Sequence, residues 1–157
     1  MAALPAGLSQ RRVLLTDDDP FVRTVYADTL RGRGCEVTEA RSGEECVTIA
    51  RTLQPDLVLM DLSMPGMDGW QSLAALRGHP ETRDLPVIAL TASITGDVRV
   101  RALEAGFDEF IAKPFTPRML LRELDTAWQQ VQRRRQAPPP EAAPTMSYAM
   151  SMPVPAV

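Results

Sequence analysis

Side chains able to do joint chemistry stand at the ends of four apolar runs. Asp17, Asp18 and Asp19 follow Val13–Thr16, Asp61 follows Leu57–Met60, Thr91 follows Val87–Leu90, and Lys113 follows Phe107–Ala112. Carboxylates gathered in one place repel one another until a cation joins them. Mg2+ suits such a set because it takes oxygen ligands in an octahedron and keeps several waters. Asp18 and Asp61 are the best candidates for direct ligands to Mg2+. Asp17 would bind directly or through water, and the backbone carbonyl of Ser63 could supply a further oxygen. An ionised carboxylate needs no general base to attack phosphorus, and its product is an acyl phosphate. A cation and an ammonium group can neutralise the equatorial oxygens of the transferred group, and a threonine hydroxyl can donate to one of them. The set therefore predicts phosphoryl transfer to one of these carboxylates, assisted by Lys113 and Thr91. Lys113 is the one lysine among 17 basic residues. Arginine serves equally well as a fixed surface cation, so a compact ammonium kept at this single place points to a specific role.

These residues can meet only if the elements that carry them end together. The five apolar runs are Val13–Thr16, Cys35–Glu39, Leu57–Met60, Val87–Leu90 and Phe107–Ala112. The first, third and fourth are nearly continuous in aliphatic residues, as in parallel strands covered on both faces. The second and fifth alternate, which suits edge strands. Helical periods lie between them. Asp19 can cap and Pro20 open a helix with Val22, Val25, Tyr26, Thr29 and Leu30 on one face. Ser42 and Glu45 fit a capping box before Cys46, Ile49, Ala50 and Leu53. Asp68 can cap a helix presenting Trp70, Leu73 and Leu76. Asp97 to Ala105 is helical and stops at Gly106. Thr116 and Pro117 open a last helix with Leu120, Leu121, Leu124 and Trp128. Five β–α units with right-handed crossovers give an α/β fold: a five-stranded parallel sheet with helices on both faces. All C-terminal strand ends then fall on one edge, where such sheets bind ligands.

Length and composition narrow the partners. The chain has 157 residues, a net charge of -3 and a pI near 5.2. That balance argues against direct nucleic-acid binding, which draws on a basic excess. No apolar run reaches the roughly 18 residues needed to span a bilayer. Cys35 and Cys46 lack metal-ligand spacing and are expected as reduced thiols, so a cytoplasmic location is expected. Residues 1–10 are expected as a flexible tail, 11–132 as the domain, and 133–157, rich in proline, as a disordered tail. The Arg133–Arg135 run is expected as a solvated helix end rather than a grip on an acidic partner. His79 is expected in a solvated loop, and Trp70 and Trp128 as packing residues.

The segments VLLTDDDP, DLVLMDLSMPGMDG, VIALTA and FIAKPF resemble the strand-end motifs of response-regulator receiver domains over about residues 11–130. The resemblance implies the (βα)5 flavodoxin-like receiver fold of two-component signalling. By position, Asp61 matches the phosphoacceptor, and Asp17 and Asp18 the acidic metal pair. Thr91 matches the switch hydroxyl, Lys113 the phosphate-binding lysine and Phe110 the rotating aromatic. Pro114 matches a proline that follows a cis peptide, and Ser63 and Ser93 flank the path of hydrolytic water. Three positions depart from the pattern. Thr16 stands where an apolar residue is commoner, Phe110 replaces a tyrosine, and Asp19 extends the acidic pair, with helix capping as its first expected role.

The resemblance further implies a histidine kinase or histidine phosphotransfer protein as donor. It implies a downstream protein target on the face of the fourth helix, fifth strand and fifth helix, about Asp97 to Trp128. A phosphoacceptor switch with self-catalysed transfer and autodephosphorylation is expected rather than a turnover enzyme. No DNA-binding output domain is expected, because the residues after 132 are few and proline-rich. Two other functions fit parts of the pattern. An aspartyl-phosphate phosphohydrolase also uses a strand-end Asp, Mg2+, a hydroxyl and a lysine, but it wants an acid where Ser63 stands. A receiver-like binding module would work without phosphate.

Overall fold

The computed structural model describes residues 7–92, 95–113 and 116–138. Ser93, Pro114 with its expected cis bond, and most of both expected tails lie outside them. Ten elements alternate along the chain. They are β1 (Arg12–Thr16), α1 (Pro20–Gly32), β2 (Glu36–Ala40), α2 (Gly43–Leu53), β3 (Leu57–Asp61), α3 (Gly69–Gly78), β4 (Val87–Thr91), α4 (Gly96–Ala105), β5 (Glu109–Ala112) and α5 (Pro117–Gln136). The strands are all parallel, in the order β2-β1-β3-β4-β5. The two alternating strands are thus the edges, and the aliphatic ones lie inside. Every residue of β3 and β4 is buried.

Two cores flank the sheet. On one face Val13, Leu15, Leu57, Leu59, Ile88 and Leu90 pack against Tyr26, Ala27 and Leu30 of α1 and Leu120, Leu124 and Trp128 of α5. On the other, Leu14, Val58, Met60, Val87 and Ala89 pack against Cys46 and Ala50 of α2, Leu73 and Leu76 of α3 and Ala102 of α4. Each fully buried aliphatic side chain stabilises the fold by about 1.5–3 kcal/mol, so alternation between the faces fixes the strand register.

Helix starts follow the capping chemistry. Asp19 accepts from the amides of Phe21 and Val22, and Thr116 accepts from Met119. Ser42 accepts from Glu45, but the Glu45 carboxylate reaches the amide of Arg41 instead of Ser42. The reciprocal box forms at α3, between Asp68 and Gln71. Gly106 ends α4 at φ +110, where a side chain would be strained.

Three expectations are corrected. The stretch from residue 7 to 10 is not a loose tail: Leu8 is 1% exposed within the α1–α5 core, and the Gln10 amide donates to Gly34. Strand β5 begins at Glu109, not Phe107. The Phe107 amide donates to Ala102 as α4 ends, and its ring packs edge-on against Trp70 at 5.6 Å. Helix α5 continues through Arg133–Gln136 because Arg134 and Arg135 find acids across it: Arg134 lies 3.3 Å from Glu109, and Arg135 lies 3.7 Å from Asp108. His79 follows α3 as its C-cap, half-buried, in the loop where it is expected.

Candidate functional site

The site forms where β1 and β3 adjoin and their helices leave on opposite faces. β1 runs into Asp17, β3 ends in Asp61, β4 ends in Thr91, and Lys113 follows β5. Parallel pairing in register brings these ends level: Thr16 faces Met60, Asp61 faces Leu90, and Thr91 faces Ala112. The Lys113 amide donates to the Thr91 carbonyl at 2.6 Å, and the Leu62 amide to Leu90 at 3.0 Å, so the ladder continues past the last strand residues.

Carboxylate oxygens of Asp17, Asp18 and Asp61 lie within 4.8 Å of one another. Asp17 and Asp61 are buried and Asp18 is exposed. The Lys113 ammonium donates to Asp17 at 2.8 Å and lies 3.6 Å from Asp61. Asp17 also accepts from the Asp19 amide at 2.9 Å, and Asp61 from the Ser63 amide at 3.2 Å. Thr91 is buried at the same edge. Phe110 is half-buried, with the Arg99 guanidinium 6.0 Å from its ring centre. The sequence-predicted acids and lysine therefore meet. Ser63 enters through its amide.

The electrostatics are uneven. The lysine serves Asp17 first, and Asp61 is left exposed to its surroundings' opposition. Burial pushes the Asp61 carboxyl above its usual 3.8; Lys113 pulls it down, while Asp17 and Asp18 push it further up. Burial alone would lower the Lys113 ammonium, but its hydrogen bond to Asp17 and the charges of Asp61 and Asp17 outweigh that and raise it. The site holds three carboxylates against one ammonium, a deficit of positive charge in a partly desolvated place. A small divalent ion with oxygen preference fits that donor set, and Asp17, Asp18 and Asp61 are the side chains that could hold it.

Several residues of the site escaped the sequence pattern. Gly69 lets α3 start directly behind Asp61: a Cβ there would come 2.5 Å from the Asp61 carbonyl oxygen. The spacing of DLSMPGMDG carried that signal, because such close approach needs glycine. Tyr26, on the inner face of α1, places its ring 6.0 Å from the Lys113 ammonium. Burial raises its phenol above the usual 10.0, more than Lys113 lowers it. Arg23 reaches the Asp17 carbonyl at 2.8 Å. The thiols play no part: Cys35 and Cys46 are buried and free, and burial pushes Cys46 up to about 11. Among the described residues no helix is long and apolar enough to cross a membrane.

A family model described as the response regulator receiver domain matches residues 13–125. The phosphate regulon transcriptional regulatory protein PhoB of Escherichia coli (strain K12) is 34% identical over 121 residues, covering 77% of this chain and 53% of that protein. The DNA-binding response regulator MtrA of Mycolicibacterium smegmatis is 38% identical over 116 residues, covering 73% and 49%. The chain thus spans about half the length of these curated relatives. Among solved structures, the chemotaxis protein CheY4 of Vibrio cholerae aligns with a TM-score of 0.71 at 28% identity, covering 76% of this chain and 99% of that one. The receiver domain of the sensor histidine kinase PA1611 from Pseudomonas aeruginosa PAO1 aligns at 0.68 and 31% identity, covering 79% and 99%. That neighbour has a magnesium ion coordinated in its active-site cleft.

Proposed function

The chain belongs to the response-regulator receiver family, and from that premise we propose that Asp61 accepts a phosphoryl group from a phosphohistidine and thereby switches protein–protein contacts. The observation that supports this most is convergence. Acids from two strand ends lie within 4.8 Å, and the sole lysine, from a third, bridges two of them.

An Asp61 carboxylate oxygen attacks the phosphorus in line. The new O–P bond forms as the P–N bond to the donor imidazole breaks, and the nitrogen keeps the electron pair. Asp17, Asp18 and Asp61, with the Ser63 carbonyl as a further ligand, would hold Mg2+, which would neutralise charge on the transferring oxygens when bound. Lys113 moves part of its hydrogen bonding from Asp17 to the phosphoryl oxygens, and the Thr91 hydroxyl donates to another. The added charge and acceptors are what the switch reads. Displacement of Thr91 opens space for Phe110, and the α4–β5–α5 face changes its preference for a downstream protein as a shift between two populations. Arg99 is part of that face: its guanidinium covers Phe110 and lies 3.8 Å from the buried Glu109. Later attack of water on phosphorus releases phosphate and restores Asp61, so the chain acts as a timed switch with self-catalysed transfer and autodephosphorylation.

Incubation with acetyl phosphate and MgCl2, followed by intact mass measurement, tests this. The native chain is expected to gain one phosphoryl group, and Asp61→Ala none. No adduct on the native chain, or an equal adduct on Asp61→Ala, overturns the proposal.

A further inference from the structure

The loop that carries the acids is gripped from outside by a pair of side chains. Arg23, on the second turn of α1, donates from Nη1 to the Asp17 carbonyl at 2.8 Å, and its Nε lies 3.3 Å from Glu39 on β2. Its side chain is only 11% exposed. The second oxygen of Glu39 pairs with Arg31 at 3.2 Å, so Glu39 is itself held in place. The Arg23 amide donates to the Asp19 carbonyl at 2.9 Å. One residue therefore fastens both ends of the Asp17–Asp19 turn, through its backbone at one end and its guanidinium at the other. A planar guanidinium committed to a carbonyl and a carboxylate in a fixed fork loses most of its freedom to turn.

We infer that Arg23 and Glu39 are a positioning pair for the cation site. Glu39 keeps the guanidinium on the Asp17 carbonyl. That contact fixes the peptide from which the Asp17 and Asp18 carboxylates project, and it stops this nearby positive charge from closing onto the acids in place of the ion. The inference rests on the cation site of the proposed function. It makes a prediction opposite in sign to simple charge balance. A positive residue beside a cation site repels the cation, so charge balance alone expects metal binding to tighten when Arg23 is neutralised. Positioning expects it to weaken, because the acids lose their common orientation. Residues that orient metal ligands are typically worth about tenfold or more in affinity.

The test is Mn2+ binding to the full chain, read by electron paramagnetic resonance and checked by displacement with Mg2+. The variants are Arg23→Met, Arg23→Lys and Glu39→Gln. Circular dichroism confirms that each is folded, and Arg23→Lys keeps the charge should Arg23→Met prove unstable. The expected result is about tenfold weaker binding in Arg23→Met, a smaller loss in Arg23→Lys, and no further loss when Glu39→Gln is added to Arg23→Met. Equal or tighter binding in Arg23→Met, or unchanged binding in Arg23→Lys, overturns the inference and leaves the cation site standing. Absence of binding by the native chain overturns the cation site and the inference together.

Discussion

The two ends of the sheet treat charge in opposite ways. At the N-terminal end of the strands, Arg77 donates to the carbonyls of Arg83, Leu85 and Gly106 and to the Asp108 carboxylate, all between 2.6 and 3.1 Å. Asp108 also accepts from the Val87 amide at 2.8 Å, and Asp56 accepts from the Arg12 amide at 2.8 Å. One guanidinium thus ties the end of α3 to the starts of β4 and β5. At the C-terminal end, three carboxylates stand by one ammonium, which pairs with two of them, and the residue proposed to react is the one that ammonium serves less well. Matched charge at one end lends rigidity. Unmatched charge at the other lowers the cost of binding a cation. Local rules of polar satisfaction are kept where the fold is only held together and relaxed where something has to bind.

Arg77→Ala attacks the comparison at its satisfied end. It leaves the partly buried Asp108 with the Val87 amide and the longer Arg135 pair alone and frees three carbonyls, and we expect a loss of about 3 kcal/mol in urea unfolding. A loss below about 1 kcal/mol would show that the clamp contributes little beyond what water replaces.

Lys113→Met attacks the unsatisfied end. Without metal it leaves buried Asp17 with no ammonium, and about 2 kcal/mol should be lost. Mg2+ should restore part of that loss, because the ion supplies the missing positive charge. Thermal melts with EDTA and with MgCl2 measure both effects, and a deficit that Mg2+ leaves untouched would separate the lysine from the cation site.

Asp61→Asn sharpens the contrast by reversing the sign. Burial raises the Asp61 carboxyl in the folded chain, so the folded state binds that proton more readily than the unfolded state. Stability then falls as pH rises from the unfolded value through the folded one, and the cost of the charge persists at neutral pH. The variant should therefore melt higher than the native chain in EDTA at pH 7. Its advantage should fade as pH falls toward about 4, where the native carboxyl gains its proton in both states. The smallest effect is expected of Arg122→Ala. Its pair with Glu123 is exposed on both sides, and unfolding should shift by no more than about 0.5 kcal/mol.

How much of this was readable beforehand depended on how local the signal was. The aliphatic runs of β3 and β4 can be covered only from both faces, so their central place followed from composition. Asp61, Thr91 and Lys113 stood out because each ends a run, and register does the rest. Arg23 and Arg77 did not stand out, since arginines on polar helix faces look alike until the fold brings a distant carbonyl or acid to them. Leu8 was hidden for a similar reason: an isolated apolar residue gains meaning only when Gly34 and Cys35 arrive beside it, with the Cys35 thiol donating to its carbonyl at 3.2 Å. The capping box at α2 was legible but half-wrong, because the arc from Ser42 leaves the Arg41 amide nearer to Glu45.

Chemical localisation of the phosphoryl group tests the central claim most directly. Borohydride reduces an acyl phosphate to an alcohol, so treating the acetyl-phosphate-labelled chain and sequencing its peptides should find homoserine at position 61. Homoserine at another acid, or a persistent phosphoryl adduct with Asp61 unaltered, would contradict the account.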